Sequence, residues 1–105
     1  MGADWFEEII DIEEGYDTAR TTFNRAVDDA WWHYGHAGYT GTIAEKNEFK
    51  IRNGGKPILR QYVIDFMAQD GDDNDKWGPA FCVPICDSVD EPEITGYAFY
   101  GWASS

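Results

Sequence analysis

Between Met1 and Asp17 the chain carries seven carboxylates, Asp4, Glu7, Glu8, Asp11, Glu13, Glu14 and Asp17, and no basic side chain. Any fold must keep these groups in water or pair them. The formal net charge of −12 on 105 residues extends that requirement to the whole molecule. Self-repulsion at such a charge opposes compaction, so a folded state needs a substantial apolar core. The aromatic side chains supply one. Trp5, Trp31, Trp32, Trp77 and Trp102, with six Tyr and six Phe, bring aromatic content to 16 %, unlike the composition of a disordered acidic segment. The length fits one domain, residues 1–105, with a single core.

The spacing of apolar residues divides the chain. Ala19, Phe23, Ala26, Val27, Ala30, Trp31 and Tyr34 recur at three and four, which predicts an amphipathic helix capped by Asp17 or Thr18 and stopped at Gly35. Asp4 with Glu7 resembles a capping arrangement, and Trp5, Phe6, Ile9, Ile10 and Ile12 follow, which predicts a second helix over about 4–14. On that helix Glu7, Asp11 and Glu14 share an outer face with Glu8 alongside. Strands are expected at Tyr39–Lys46, at Phe49–Ile51 before the Asn53-Gly54-Gly55 turn, and in the blocks Pro79–Cys86 and Thr95–Ala103, joined as a hairpin through Asp87–Glu93. Pro57 opens a run favouring a further helix through Met67, with a strand as the alternative. The expected fold is α+β: two or three helices on one face of a small, mainly antiparallel sheet.

Chemical motifs are few. His33 with His36 and Cys82 with Cys86 can be drawn as a zinc site, but two cysteines flanking Val83-Pro84-Ile85 in a strand are spread along it. In a strand their Cα atoms stand about 13 Å apart, too far for a disulfide. Asp70, Asp72 and Asn74 begin like a calcium loop, yet Asp75 stands where glycine is needed and Phe81 where a bidentate glutamate is needed. Neither metal nor cofactor is expected. Asp28 and Asp29 are adjacent on a helix and point apart, so they share no proton. No nucleophile elbow, phosphate loop or dinucleotide fingerprint occurs, and a non-enzymatic role is expected. Trp32 and His33 fall off the apolar stripe of their helix, which marks Trp32 as either a cover for the sheet edge or an exposed anchor.

Charge narrows the partners. Residues 70–93 hold a second acidic region, while Lys46, Lys50, Arg52, Lys56 and Arg60 make the centre locally basic. The overall field repels phosphates, which disfavours direct nucleic-acid binding and favours a Lys- and Arg-rich protein. Carboxylates recurring every helical turn would lie about 5 to 6 Å apart, near the phosphate spacing of a nucleic-acid strand, which makes a DNA mimic physically coherent. The acidic N-terminus and the lack of an uncharged apolar stretch of about 18 residues predict a cytoplasmic protein without membrane contact.

The run Tyr34-Gly35-His36-Ala37-Gly38-Tyr39-Thr40-Gly41-Thr42-Ile43-Ala44-Glu45-Lys46, with Lys76-Trp77-Gly78-Pro79-Ala80 and Phe99-Tyr100-Gly101-Trp102-Ala103-Ser104-Ser105, resembles small uncharacterised proteins of bacteriophages and mobile elements. The resemblance implies a host-cell setting in which short acidic proteins bind and block host machinery, as anti-CRISPR and other anti-defence inhibitors do. The expected function is therefore an interaction module that binds a basic, nucleic-acid-handling host protein. Candidate contact residues are Trp5, Glu7, Glu8, Asp11, Glu14, Trp32, Asp72, Asp73 and Asp75. The alternative is a small-ligand binder, a sponge or minor enzyme, with a site at His33, His36 and Tyr39 beside Trp32.

Overall fold

The N-terminal acidic segment is a strand, β1 (Ala3–Asp11), and not the expected helix. It pairs antiparallel along its whole length with the C-terminal strand β5 (Ile94–Ser104), from Ala3 opposite Ser104 to Asp11 opposite Gly96. Isoleucines and aromatics pack well on a pleated surface, and a strand turns Glu7 and Glu8 to opposite faces. At Gly96 a Cβ would lie 2.9 Å from the Ile10 carbonyl oxygen, so only glycine fits this close pairing unchanged. The computed structural model describes residues 3–34, 41–71, 77–90 and 92–104.

The expected helix over 19–34 is present as α1 (Ala19–Tyr34). Thr18 caps it: its Oγ1 accepts from the Thr21 amide at 3.1 Å, and the Thr21 hydroxyl accepts from the Thr18 amide at 3.1 Å. Two first-turn donors are thereby satisfied reciprocally. Gly35 lies outside the described residues, as do Tyr39 and Thr40. Over 43–45, where a strand was expected, there is a turn of 3-10 helix. Thr42 Oγ1 accepts from the Ala44 amide at 3.2 Å, and the turn buries Ile43 and Ala44. The short strand β2 (Phe49–Ile51) appears as expected, followed by a turn in which Asn53, Gly54 and Gly55 all have positive φ. From Pro57 the chain first makes β3 (Ile58–Leu59) and a 3-10 turn, and α2 begins only at Val63 (Val63–Asp70).

The sheet has the order β1-β5-β4-β2, with β3 also on β4 (Ala80–Cys86). The long strands β1, β5 and β4 are antiparallel, whereas β2 and β3 run parallel to β4. Pro84 falls between the residues paired with β2, Ala80 to Cys82, and those paired with β3, Ile85 and Cys86. The Cys82 carbonyl accepts from the Arg52 amide on that same side. Pro84, two residues on, directs its hydrogen-free nitrogen into the gap, where no ladder bond is lost.

The two helices lie on opposite faces of this sheet, which corrects the expectation of one covered face. Phe23, Ala26 and Ala30 of α1 pack with Phe6, Cys82, Tyr97 and Phe99. Val63 and Met67 of α2 pack with Phe81, Val83, Ile85, Ala98 and Tyr100. Alternation along β4 and β5 feeds both cores, and every residue of β4 is buried. Cys82 and Cys86 are both buried free cysteines, and burial pushes the Cys82 thiol up to about 12. No helix among the described residues is long and apolar enough to cross a membrane.

Candidate functional site

Four arginines set the charge pattern by what they neutralise. Arg20 binds Glu48 at 2.9 Å, Arg25 binds Glu13 at 2.7 Å, and Arg52 binds Asp70 at 2.8 Å. Arg60 bridges Asp11 and Asp87, each at 2.8 Å. Lys46 is buried and donates to the Gly78 carbonyl at 2.8 Å. The locally basic centre read from the sequence is thus largely spent on internal contacts, and the acidic surplus remains outside them.

β1 separates the nominated residues into two groups. On the α2 side, Trp5 packs against Tyr100 and, edge-on, against Trp102, with centroids 6.2 and 5.5 Å away. Its Nε1 donates to Glu7 at 3.2 Å, and Asp11 is held by Arg60. Glu14 sits in the turn closed by the Glu13–Tyr16 bridge. The helical row of Glu7, Asp11 and Glu14 therefore does not exist, and the phosphate-like repeat built on it falls with it. Asp72, Asp73 and Asp75 lie outside the described residues, as do His36 and Tyr39.

On the α1 side a different set converges. Glu8 and Ile10 of β1 face Ala26, Asp29, Ala30 and His33 of α1 across a cleft of about 300 Å³. Ile10, Ala26 and Ala30 give it an apolar floor. Glu8 is partly buried there, and burial raises its carboxyl pKa; the Asp29 charge raises it further, against a smaller lowering by His33. His33 Nδ1 lies 2.7 Å from the Asp29 carbonyl oxygen. A carbonyl can only accept, so Nδ1 carries the proton and the ring is fixed on the helix terminus. One turn beyond Asp28 and three residues beyond Asp29, Trp32 is 87 % exposed. Among the described residues Glu8 and Asp28 form no ion pair with a lysine or arginine, whereas Arg25, one turn before Asp29 on α1, has its guanidinium pKa raised by its hydrogen bond to Glu13 and further by the Asp29 charge.

This arrangement is an anionic, aromatic face with one strained carboxylate. Ionised Glu8 costs the folded state stability, because its proton is held more tightly folded than unfolded. A group with a raised folded pKa contributes fully below its unfolded pKa, and that contribution is lost as pH rises through the folded value. Glu8→Gln is therefore expected to raise the urea midpoint at neutral pH, with the gain vanishing below about pH 4. An unchanged midpoint at neutral pH would show that Glu8 carries no such cost.

The sequence flagged Glu8, Trp32 and His33, but not that Asp29 would face Glu8. That contact joins residues twenty-one apart across a strand that reads as a helix, and no local pattern signals it. A second polar cluster was also missed. Tyr100 Oη donates to Asp70 at 2.7 Å, and Arg52 donates to both Asp70 oxygens at 2.8 and 3.0 Å. Comparison with protein-family models, with characterised proteins and with solved structures finds no match to this chain.

Proposed function

We propose that the protein is an interaction module that binds a Lys- and Arg-rich surface of another protein through the β1–α1 face. The observation that carries this reading is Trp32, a large apolar side chain left 87 % in water one helical turn from Asp28 and Asp29 and next along α1 to His33, which with Asp29 lines the Glu8 cleft. A tryptophan gives contact area and a cation-attracting ring, and the carboxylates around it reward only a positive partner. Glu8 supports the same reading, since a carboxylate kept at a cost to folding is relieved when a cation enters the cleft. Nucleic-acid-handling proteins present such surfaces, and the phage-like segments fit an inhibitor of one of them. The fit is a charge and aromatic match, not a helical copy of a phosphate backbone.

Affinity capture run in parallel on wild type and on the Glu8→Lys/Asp28→Lys/Trp32→Ala variant tests this. Wild type is expected to retain basic proteins that salt releases, because such contacts are screened over a Debye length of about 10 Å at 0.1 M. The variant is expected to lose them, with affinity reduced by at least about ten-fold for a partner identified this way. Recovery of the same proteins by both would remove the face from the proposal.

A further inference from the structure

The geometry points to a second docking surface: the open groove beside β3 and α2 takes an amphipathic, basic peptide segment of a partner protein. This groove lies on the other side of the sheet from the Glu8 cleft and is independent of it. Its volume is about 480 Å³, and Ile58, Leu59, Tyr62, Phe66 and Val89 give it apolar walls, with Asp65 set among them. Val89 is 70 % and Tyr62 55 % exposed. These side chains come from a strand, a 3-10 turn, a helix and the β4–β5 connection, so the groove is a built concavity and not a scatter of surface residues. Its size falls within the range of about 300 to 1,000 Å³ common for binding clefts.

Charge selects the occupant. Arg60, between Leu59 and Tyr62, is bound by both Asp11 and Asp87, so its charge is more than offset. Asp65 in the wall and Asp90 beside Val89 add two exposed carboxylates, against Lys56 next to Pro57 at the other end. An apolar floor with an acidic rim fits a helical segment whose apolar residues recur at three and four and whose flanks carry Lys or Arg. A second copy fits poorly. Each molecule carries −12, and a two-fold contact would set Asp65 and Asp90 against the acidic rim of its twin.

The test uses a labelled peptide of leucine and lysine with amphipathic helical spacing, and a scrambled peptide of identical composition. Both feel the same long-range attraction, so only the groove separates them. Fluorescence anisotropy is expected to show the amphipathic peptide binding at least about ten-fold more tightly than the scrambled one. Tyr62→Asp and Val89→Asp, both at exposed positions, are each expected to abolish that difference while leaving the thermal midpoint near wild type. A Glu8→Lys/Asp28→Lys variant should weaken both peptides alike and preserve the difference, which separates this groove from the β1–α1 face. Equal binding of the two peptides, or a difference that survives both groove substitutions, would overturn the inference. Sedimentation showing a dimer abolished by Val89→Asp would also overturn it, by assigning the groove to a second copy.

Discussion

Phe99→Ala is expected to lower stability by about 4 kcal/mol. Phe99 is fully buried at the centre of β5, with the Phe23 ring 5.5 Å away from α1 and the Phe49 ring 5.8 Å away from β2. Removing it takes away the apolar area and leaves a cavity that three separate elements would have to collapse to fill. Native domains are stable by about 5 to 15 kcal/mol, so such a loss is a large share of the total. Urea unfolding measures it directly. Trp32→Ala serves as the contrast: it truncates a larger side chain yet should change stability by no more than about 0.5 kcal/mol, because that side chain lies in water. A small effect at Phe99 would mean that the α1-side core is not assembled as described.

Asp70→Ala is expected to cost about 3 kcal/mol, through a different mechanism. The carboxyl is 19 % exposed and accepts from Arg52 twice and from fully buried Tyr100 once, and the Arg52 guanidinium also lies 4.4 Å above the Phe81 ring. Truncation removes the carboxylate that the buried phenol hydroxyl and the guanidinium share as an acceptor. Tyr100→Phe removes one hydrogen bond and no charge, so about 1 kcal/mol is expected. The pH dependence follows. Burial pushes the Asp70 carboxyl up, but the hydrogen bonds from Arg52 and Tyr100 outweigh it and leave it below the ordinary range. Its stabilising contribution is therefore complete above the unfolded pKa of about 3.9 and is lost as pH falls through the folded value. The gap between wild type and Asp70→Ala should be widest near neutrality and close in strong acid. A gap that does not change with pH would show that packing, and not the ionised carboxylate, holds this end of α2.

Much of the fold is legible in the sequence where one periodicity dominates. α1 could be read because its apolar stripe recurs at three and four without a gap, with Trp32 the one large apolar side chain off it, and the β4–β5 hairpin because two apolar blocks flank an acidic link. β1 could not. Trp5 packs on the α2 side and Ile9 lies exposed on that same face of the strand, while Phe6 and Ile10 serve the α1 side, so both faces carry apolar residues and the two-residue alternation is blurred into something closer to a helical pattern. Asp4 and Glu7 then imitated a helix cap. A helical reading of that strand sorts the carboxylates into the wrong groups and places Glu8 with Glu7 and Asp11 instead of with Asp29 and His33. Trp32 was legible as a residue off the stripe, although only the packed structure decides that it faces water. The Arg52–Asp70–Tyr100 cluster joins positions from β2's end, α2 and β5, and no spacing in the chain announces it.

The most direct measurement of the β1–α1 face is the association rate constant of a captured basic partner, followed as ionic strength rises, for wild type and for Glu8→Lys/Asp28→Lys/Asp29→Lys. For wild type the rate should be fast and fall steeply with salt, whereas the reversed variant should associate slowly with little salt dependence, because surface charges act chiefly on encounter. Superimposable rate profiles for the two proteins would contradict the assignment of this face as the binding surface.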